Sequence, residues 1–319
     1  MVASVFIDGE AGTTGLQIRE RLAGRRDVRL IQVDEARRKD PAARAEALND
    51  ADAAILCLPD DAARESAALL RNPRTVLLDA STAHRTHADW TYGFPEMTAG
   101  QAERVARSRR IAVPGCYPTG TIALVRPLLE RGLLPASWPV AVNAVSGYSG
   151  GGRQMIEAIE TPDAVAEPIR EPFFLYGLGL AHKHVPEMHH YTGLDHAPIF
   201  VPSVARFRQG MTVSIPLALW ALPGRPSAEA IQAALVEHYA DAEGIEVAPL
   251  GAVPPRLGPE IHNGTNAMTL ALFGHAGKGE LVMTATYDNL GKGASGAAVQ
   301  CLELALGLTA TPARVVQAA

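Results

Sequence analysis

The stretch Val2-Ala-Ser-Val-Phe-Ile-Asp8-Gly9-Glu-Ala-Gly12-Thr-Thr-Gly15-Leu16 reads as a strand, a glycine turn and the start of a helix. Val2–Ile7 is a short apolar run with β-branched residues, ended by Asp8-Gly9, the pattern of a buried strand. From Thr14 to Leu22 the apolar residues Leu16, Ile18 and Leu22 recur at helical spacing among polar ones. Between them Gly9, Gly12 and Gly15 are spaced G-x-x-G-x-x-G, with Thr13 and Thr14 in the same turn. Glycines there allow positive φ and let the backbone approach a pyrophosphate. The free N–H groups and the dipole of the following helix attract that anion. A glycine pattern alone is weak; its place between strand and helix makes it a dinucleotide-binding turn.

Working outward, Val28–Val33, Ala53–Leu58, Thr75–Asp79 and Arg110–Val113 read as further short strands, with helices over Pro41–Leu48 and Asp61–Leu70. Strands alternating with helices imply crossover units and a parallel, doubly wound sheet, an α/β Rossmann domain. After residue 115 the style changes. Val140–Val145, Ile199–Val204, Thr212–Trp220, Asn266–Phe273 and Glu280–Tyr287 read as longer strands with few helices between them, an α+β domain. The apolar, Ala-rich segment Ala294–Leu306 reads as a last helix that rejoins the first domain. The expected division is 1–115 with 294–319 for the cofactor, and 116–293 for catalysis and oligomerisation.

Composition narrows the function. The chain has 319 residues, 47% hydrophobic and 20% charged, enough to bury a substantial core. A net charge of −5 gives no global basic excess for nucleic acid, so an anionic substrate needs a local basic pocket. No run of about 18 or more apolar residues suggests a membrane span, and no signal peptide is visible. The three cysteines, Cys57, Cys116 and Cys301, are too few and too widely spaced for a disulfide framework or structural zinc. They suit a reducing cytoplasm.

Cofactor choice rests on the end of the second strand. Asp34 there suits a ribose 2′-hydroxyl, but Arg37, Arg38 and Lys39 follow at once and suit a 2′-phosphate. The expected cofactor is NADP(H).

Val113-Pro-Gly-Cys116-Tyr-Pro-Thr-Gly120 follows a strand and precedes the helical run Thr121–Leu129. A cysteine at a helix N-terminus feels the positive end of the dipole, which lowers its thiol pKa. The same N–H groups suit an oxyanion on an attacked carbonyl. Thiolates attack acyl phosphates well, and the resulting thioester accepts a hydride. Cys57, at the end of an apolar strand, and Cys301, in an apolar helix, read as small buried hydrophobes.

The Val113–Gly120 motif resembles the active-site motif of the N-acetyl-γ-glutamyl-phosphate reductases. Asp79-Ala-Ser-Thr-Ala-His-Arg85, Ser146-Gly-Tyr-Ser-Gly-Gly-Gly152, His182-Lys-His-Val-Pro-Glu187 and Asp288-Asn-Leu-Gly-Lys-Gly-Ala-Ser-Gly296 resemble that family in the same order. The length is similar to the shorter of its two subtypes. The resemblance implies a Rossmann domain plus an α+β catalytic and dimerisation domain, shared with aspartate-semialdehyde and glyceraldehyde-3-phosphate dehydrogenases. It implies reduction of N-acetyl-glutamyl 5-phosphate by NADPH to the 5-semialdehyde, with release of phosphate, in arginine biosynthesis. One departure is Ala83, where the family often has an acid; no role of that acid carries over.

The resemblance also implies residue roles. Cys116 is the nucleophile, and His182 and His184 are acid/base candidates, unranked. Spaced i, i+2, they share a side if the segment is extended. His189 and His190 follow, but no carboxylate or cysteine completes a zinc-like spacing, so no metal is expected. Arg85 suits an anionic group through two parallel bonds. Ser81, Ser146, Gly147, Lys183 and Glu187 complete the substrate side. On the cofactor side stand the Gly9–Gly15 turn, Arg37, Arg38, the strand end Cys57-Leu58-Pro59, and Ser149, Gly150, Asn289 and Gly293. The partners expected are an acyl phosphate, phosphate and further copies of the chain, as a homodimer or homotetramer. Two other readings stay open: the same chemistry on aspartyl phosphate or a carrier-linked acyl phosphate, and a non-catalytic NADP-binding sensor.

Overall fold

In the computed structural model, which describes residues 2–251, 253–275 and 278–313, the opening apolar run forms strand β1 (Ala3–Asp8), all six residues buried. Helix α1 (Thr13–Leu22) follows the glycine turn. Then come β2 (Val28–Ile31), α2 (Pro41–Asp50), β3 (Ala53–Leu56), α3 (Asp60–Leu69) and β4 (Val76–Asp79), in the order the patterns predict. Two elements lacked a sequence signal. Strand β5 (Thr91–Tyr92) has two residues, and α4 (Gln101–Arg107) buries only Gln101 and Val105 among its seven. Strand β6 (Arg110–Ala112) completes a six-stranded parallel sheet of order β2-β1-β3-β4-β6-β5.

Alternation along these strands builds a core on each face of the sheet. Val5, Ile7, Ile55 and Leu78 pack with Ile18 and Leu22 of α1 and Val105 of α4. Phe6, Ala54, Leu56 and Leu77 pack with Ala47 and Leu48 of α2 and Ala63 of α3. Helices on both faces are what a parallel sheet requires. The order reverses beside β1, with β2 on one side and β3 on the other, and ligands bind at the carboxyl ends of strands at such a point.

Two compact units are present, the first comprising described residues 2–95, 99–115 and 294–311, and the second the remainder. The second begins with α5 (Cys116–Glu130), five residues earlier than the helical run read from sequence. Pro118 sits in its first turn, where a missing N–H leaves no bond unmade, so Cys-Tyr-Pro-Thr-Gly is helix and not loop. The strands are β7 (Ala141–Gly147), β8 (Phe173–Leu175), β9 (Ile199–Ala205), β10 (Met211–Ala218), β11 (Ile245–Val247), β12 (Met268–His275) and β13 (Glu280–Tyr287). They form a mixed sheet of order β11-β12-β13-β10-β7-β9-β8. Met211, Val213, Ile215 and Leu217 are buried on one face, where Val213 meets Gly120 of α5.

The expectation of few helices in this unit is corrected. It also holds α6 (Gly152–Glu160), α7 (Val185–Thr192) and α8 (Ala228–His238). Ser227 caps α8 by accepting from the Ala230 N–H at 3.2 Å, a start signal the strand-dominated reading passed over. A π-helical turn, Gly291–Ser295, then leads into α9 (Gly296–Leu306), so the last helix is preceded by a wider turn. Ala297, Ala298, Val299, Cys301 and Leu302 of α9 join the apolar cluster of the first unit around Val5 and Leu78.

Candidate active site

The glycine turn is built for close approach. Gly9 has φ +90°, and a Cβ there would stand 2.4 Å from the Cys57 carbonyl oxygen. A Cβ on Gly15 would stand 2.6 Å from the Gly9 carbonyl oxygen, so only glycine lets α1 start against the turn. Gly12 donates its N–H to Gly9 at 3.0 Å and caps α1, with Thr13 and Thr14 half-buried in the first turn. A cavity of about 630 Å³ opens beside the turn, lined among others by Gly9, Gly12, Cys57, Leu58, Arg38 and Lys39. Arg19 and Arg44 line it too, paired with Glu10 and Asp8, and Arg38 lies 3.5 Å from Glu35. A helix N-terminus, backbone free of Cβ atoms and these cations fit a phosphorylated dinucleotide.

Several expectations around this cavity change, and Thr13, Thr14 and Gly15 are not among the lining residues. The Asp34 carboxylate accepts from the Ala36 N–H at 3.1 Å and caps a short turn, and it is not among the lining residues. Arg37 turns to Asp40, 3.1 Å away, and is not among them either. Pro59 is the N-cap of α3 and also lies outside the lining. Lys39, read from sequence with Arg37 and Arg38 as suiting a 2′-phosphate, lines the cavity together with Arg38. The cause is local: Asp-x-Ala and Arg-x-x-Asp bonds close within the loop and turn those side chains away.

Cys116 is the first residue of α5 and half-buried. The Tyr287 hydroxyl donates to its carbonyl at 2.6 Å and accepts from the Gly120 N–H at 3.0 Å, tying β13 to the helix start. This narrows the expected set of oxyanion donors, since the Gly120 N–H is engaged and Pro118 has none. A Cβ on Gly293 would fall 2.9 Å from that of Cys116, so the π-helical turn lies flush against the nucleophile. Burial, and then Cys116, pushes the Tyr287 hydroxyl well above its ordinary range. Burial does the same to Tyr117, with Tyr176 and Cys116 adding to it. Cys57 contrasts: burial, with Asp79 and Asp8 adding, pushes its thiol up to about 12 and leaves it inert.

His182 and His184 come together by a different route from the one expected. The segment is a turn rather than a strand, and His184, in the right-handed helical region, is the N-cap of α7. Its backbone N–H donates to His182 Nδ1 at 3.1 Å, and the two rings lie 4.9 Å apart. Nδ1 of His182 is thus the acceptor, which places the proton of the neutral ring on Nε2. Tyr117, Tyr176 and Phe200 surround the His182 ring at 6.0, 5.5 and 5.2 Å. Burial, with Lys183 adding, lowers its pKa to about 4. The Tyr176 hydroxyl bonds that of Tyr117 at 3.1 Å, and burial, with Cys116 adding to it, raises the Tyr176 hydroxyl above its ordinary range as well. Lys183 is exposed. Glu187 is buried in the first turn of α7 and, after burial itself, is the second cause that raises Tyr191.

The Ser146–Gly152 loop is held from within. Ser146 Oγ donates to the Gly147 carbonyl at 3.0 Å, and a Cβ on Gly147 would meet the Arg208 carbonyl oxygen at 2.6 Å. Asn289 donates from Nδ2 to Ser149 Oγ at 3.1 Å and accepts at Oδ1 from the Gly210 N–H at 2.8 Å. Both ends of its amide are engaged inside the unit, beside Gly150, so Asn289 holds this loop.

In the first unit, Arg85 is buried and donates from Nε to the Val113 carbonyl at 2.9 Å and from Nη2 to the Ala80 carbonyl at 3.1 Å. The edge expected to grip an anion therefore holds two carbonyls. Ser81 donates from N and Oγ to the buried Asp79 carboxylate at 2.9 and 2.8 Å. His84 Nδ1 reaches the same carboxylate at 2.6 Å and its ring stacks on Trp90 at 4.1 Å. Asp79, His84, Tyr176 and Tyr287 were not singled out from sequence. The first two lie inside a quoted motif, and the tyrosines carry no local signal. Among the described residues no group of three or more His, Cys, Asp or Glu is placed to hold a metal ion, and no helix is long and apolar enough to cross a membrane.

Comparison with known proteins gives two family matches. Residues 15–105 match the semialdehyde dehydrogenase NAD-binding domain, and residues 116–289 the semialdehyde dehydrogenase dimerisation domain. The chain is 53% identical over 306 residues to N-acetyl-gamma-glutamyl-phosphate reductase of Burkholderia cenocepacia, covering 95% of this chain and 97% of that one. It is 55% identical to N-acetyl-gamma-glutamyl-phosphate reductase 2 of Pseudomonas putida, covering 95% and 96%. Among solved structures, aspartate semialdehyde dehydrogenase II of Vibrio cholerae superposes with a TM-score of 0.69 at 14% identity, covering 96% and 99%. The Candida albicans aspartate semialdehyde dehydrogenase with NADP gives a TM-score of 0.64 at 14% identity, covering 95% and 98%. At such identity these two establish the shared fold.

Proposed function

The chain belongs to the N-acetyl-gamma-glutamyl-phosphate reductase family, and from that premise we propose that Cys116 is the residue onto which the acyl group of the substrate is transferred. The reaction is the NADPH-dependent reductive dephosphorylation of N-acetyl-glutamyl 5-phosphate to the 5-semialdehyde, a step of arginine biosynthesis. The observation that carries the assignment is the placing of Cys116 at the first residue of a 15-residue helix, with its carbonyl fixed by Tyr287.

The residues divide the work as follows. The dipole of α5 favours the Cys116 thiolate. Its sulfur bonds to the acyl carbon as the carbon–oxygen bond to phosphate breaks, giving a thioester and free phosphate. The Gly9–Gly15 turn would hold NADPH, which when bound would supply the hydride that takes a thioester to the aldehyde level. His182 is an unprotonated imidazole at neutral pH, so it enters as a base. It takes the thiol proton during acylation and passes it to the departing phosphate, and a proton from solvent returns through it to sulfur as the carbon–sulfur bond breaks. His184 holds Nδ1 of that ring through its backbone N–H. Lys183, Glu187, Ser146 and Gly147 stand on the substrate side of this reading, and Arg85 and Ser81 order the loop after β4.

NADPH should be preferred over NADH because Arg38 and Lys39 line the cavity while the Asp34 carboxylate is tied to its own loop. Replacing Arg38 and Lys39 together with Ala should raise the KM for NADPH by roughly tenfold or more, as lost charge-assisted contacts do, and leave that for NADH unchanged. Steady-state kinetics with both cofactors checks this. An equal loss for both would remove the two residues from cofactor choice.

Self-association is part of the reading. The sheet face opposite α5 carries Thr212, Ser214 and Pro216 of β10 opposite Thr286, Thr284 and Val282 of β13, with Pro216 and Val282 exposed. Thr284 and Thr286 are buried on this face and Pro216 and Val282 are its exposed members; in a domain that matches a dimerisation family, it supports a dimer or tetramer of identical chains. The widely spaced free thiols support a cytoplasmic location.

An assay from the aldehyde side tests the function. Reduction of NADP⁺ should require both N-acetyl-glutamate 5-semialdehyde and inorganic phosphate. Equal turnover of aspartate semialdehyde would assign the chemistry to another substrate, and no turnover would favour a cofactor-binding sensor.

A further inference from the structure

Lys292 and Glu96 form an ion pair that the chemistry above does not use. Nζ and Oε1 are 2.7 Å apart, and the side chains are 1% and 8% exposed. Glu96 groups with the second unit although residues up to 95 and from 99 group with the first. A buried ion pair stabilises little compared with an apolar pair of the same volume, because both ions lose their water. Its presence here therefore points to placement rather than to stability.

What it places is the π-helical turn. The Gly293 N–H donates to the Asp288 carbonyl, five residues back, at 3.0 Å. Turns of this width inside helices often mark functional sites. The Asp288 carboxylate accepts from the Leu290 N–H at 2.9 Å and the Gly264 N–H at 2.8 Å. A Cβ on Gly291 would lie 2.0 Å from the Thr265 carbonyl oxygen, and one on Gly293 would lie 2.9 Å from the Cys116 Cβ. One wall of the turn is thus backbone and the other is the nucleophile. Lys292 sits between these two glycines, and its ammonium is tied to Glu96.

We infer that Lys292, through Glu96, is a positioning residue that holds the Gly291–Gly293 backbone against Cys116 and so fixes the reactive setting of its thiol. The inference rests on the reading of Cys116 as nucleophile. Displacement of Lys292 lets Gly293 withdraw, and the thiol then samples settings away from the end of the α5 dipole.

The test uses the full chain and four proteins: wild type, Lys292→Met, Glu96→Gln and the double variant Lys292→Met/Glu96→Met. The double variant leaves no unpaired buried charge and keeps the protein folded should the single variants fail. Thermal melting and NADPH binding are measured first. The rate of Cys116 alkylation by iodoacetamide is then followed against pH, with the rate of acyl-enzyme formation from N-acetyl-glutamyl 5-phosphate. The expected result for the double variant is wild-type NADPH binding, a thiol titration moved to higher pH and acylation at least tenfold slower. Wild-type alkylation and acylation in a folded double variant would overturn the inference and leave the pair structural. Should wild type itself show no acylation at Cys116, the reading of the nucleophile fails and the inference falls with it.

Discussion

Replacing Cys116 with Ser is expected to remove turnover almost completely, by about 10⁴-fold or more, the scale seen when an enzyme loses its nucleophile. A hydroxyl at a helix N-terminus stays protonated at neutral pH, whereas a thiol there is drawn toward thiolate. The contacts that seat the residue survive the change. Tyr287 bonds the backbone carbonyl, and Gly293 meets Cα and Cβ. Folding and NADPH binding should therefore match wild type, measured by thermal melting and by cofactor fluorescence. Loss of cofactor binding along with activity would show that serine disturbs the fold instead of the chemistry.

The second large effect is expected for His182→Asn. Asparagine retains an acceptor near the position of Nδ1, so the bond from the His184 N–H is kept, but it cannot carry a proton. The kcat should fall by roughly 10²–10⁴, the usual size of a general acid/base contribution. The pH dependence has a definite sign. With the folded pKa at about 4, the ring is neutral over the working range, and the acid limb of kcat/KM in the free enzyme should lie near 4, not near 6.5. Stability follows the same linkage. Above pH 6.5 neither folded nor unfolded chain protonates this ring, so there is no dependence. As pH falls from 6.5 toward 4 the unfolded chain takes up the proton first, and stability is lost across that window. The asparagine variant should lose that part of the pH dependence. Replacing His184 leaves its backbone N–H bond to His182 in place and should act through the lost ring contact with His182, 4.9 Å away, and through substrate placement. If neither substitution moves kcat by tenfold, the base lies elsewhere.

Much of the first unit was legible because each short strand is bounded by a turn residue and alternates between two cores. Asp8-Gly9, Pro59 and Pro114-Gly115 mark strand ends without reference to anything distant. The second unit was legible in its long strands and less so in its helices, because α6 and α7 are short and glycine- or proline-led at their starts. The cysteine was legible from local chemistry, but the length of its helix was not, since Pro118 reads as a breaker unless it falls in the first turn. The histidine pair was found through the family resemblance, and the spacing argument added to it does not hold. Spacing i, i+2 suggested a strand, and a turn into α7 brings the rings together instead. Arg37 and Asp34 were placed at the cofactor by position alone, while their local bonds to Asp40 and Ala36 turn them aside. What sequence could not show is set by contacts far apart in the chain. Tyr287 reaches Cys116 across 171 positions and Lys292 reaches Glu96 across 196.

The covalent step is open to direct observation. The chain is mixed with N-acetyl-glutamyl 5-phosphate without NADPH, quenched in acid, digested and analysed by mass spectrometry. The peptide containing Cys116 should carry one N-acetylglutamyl group as a thioester. Added NADPH should discharge it with formation of one equivalent of semialdehyde. An unmodified Cys116 peptide, with phosphate release and aldehyde formation continuing at the wild-type rate once NADPH is present, would contradict the account.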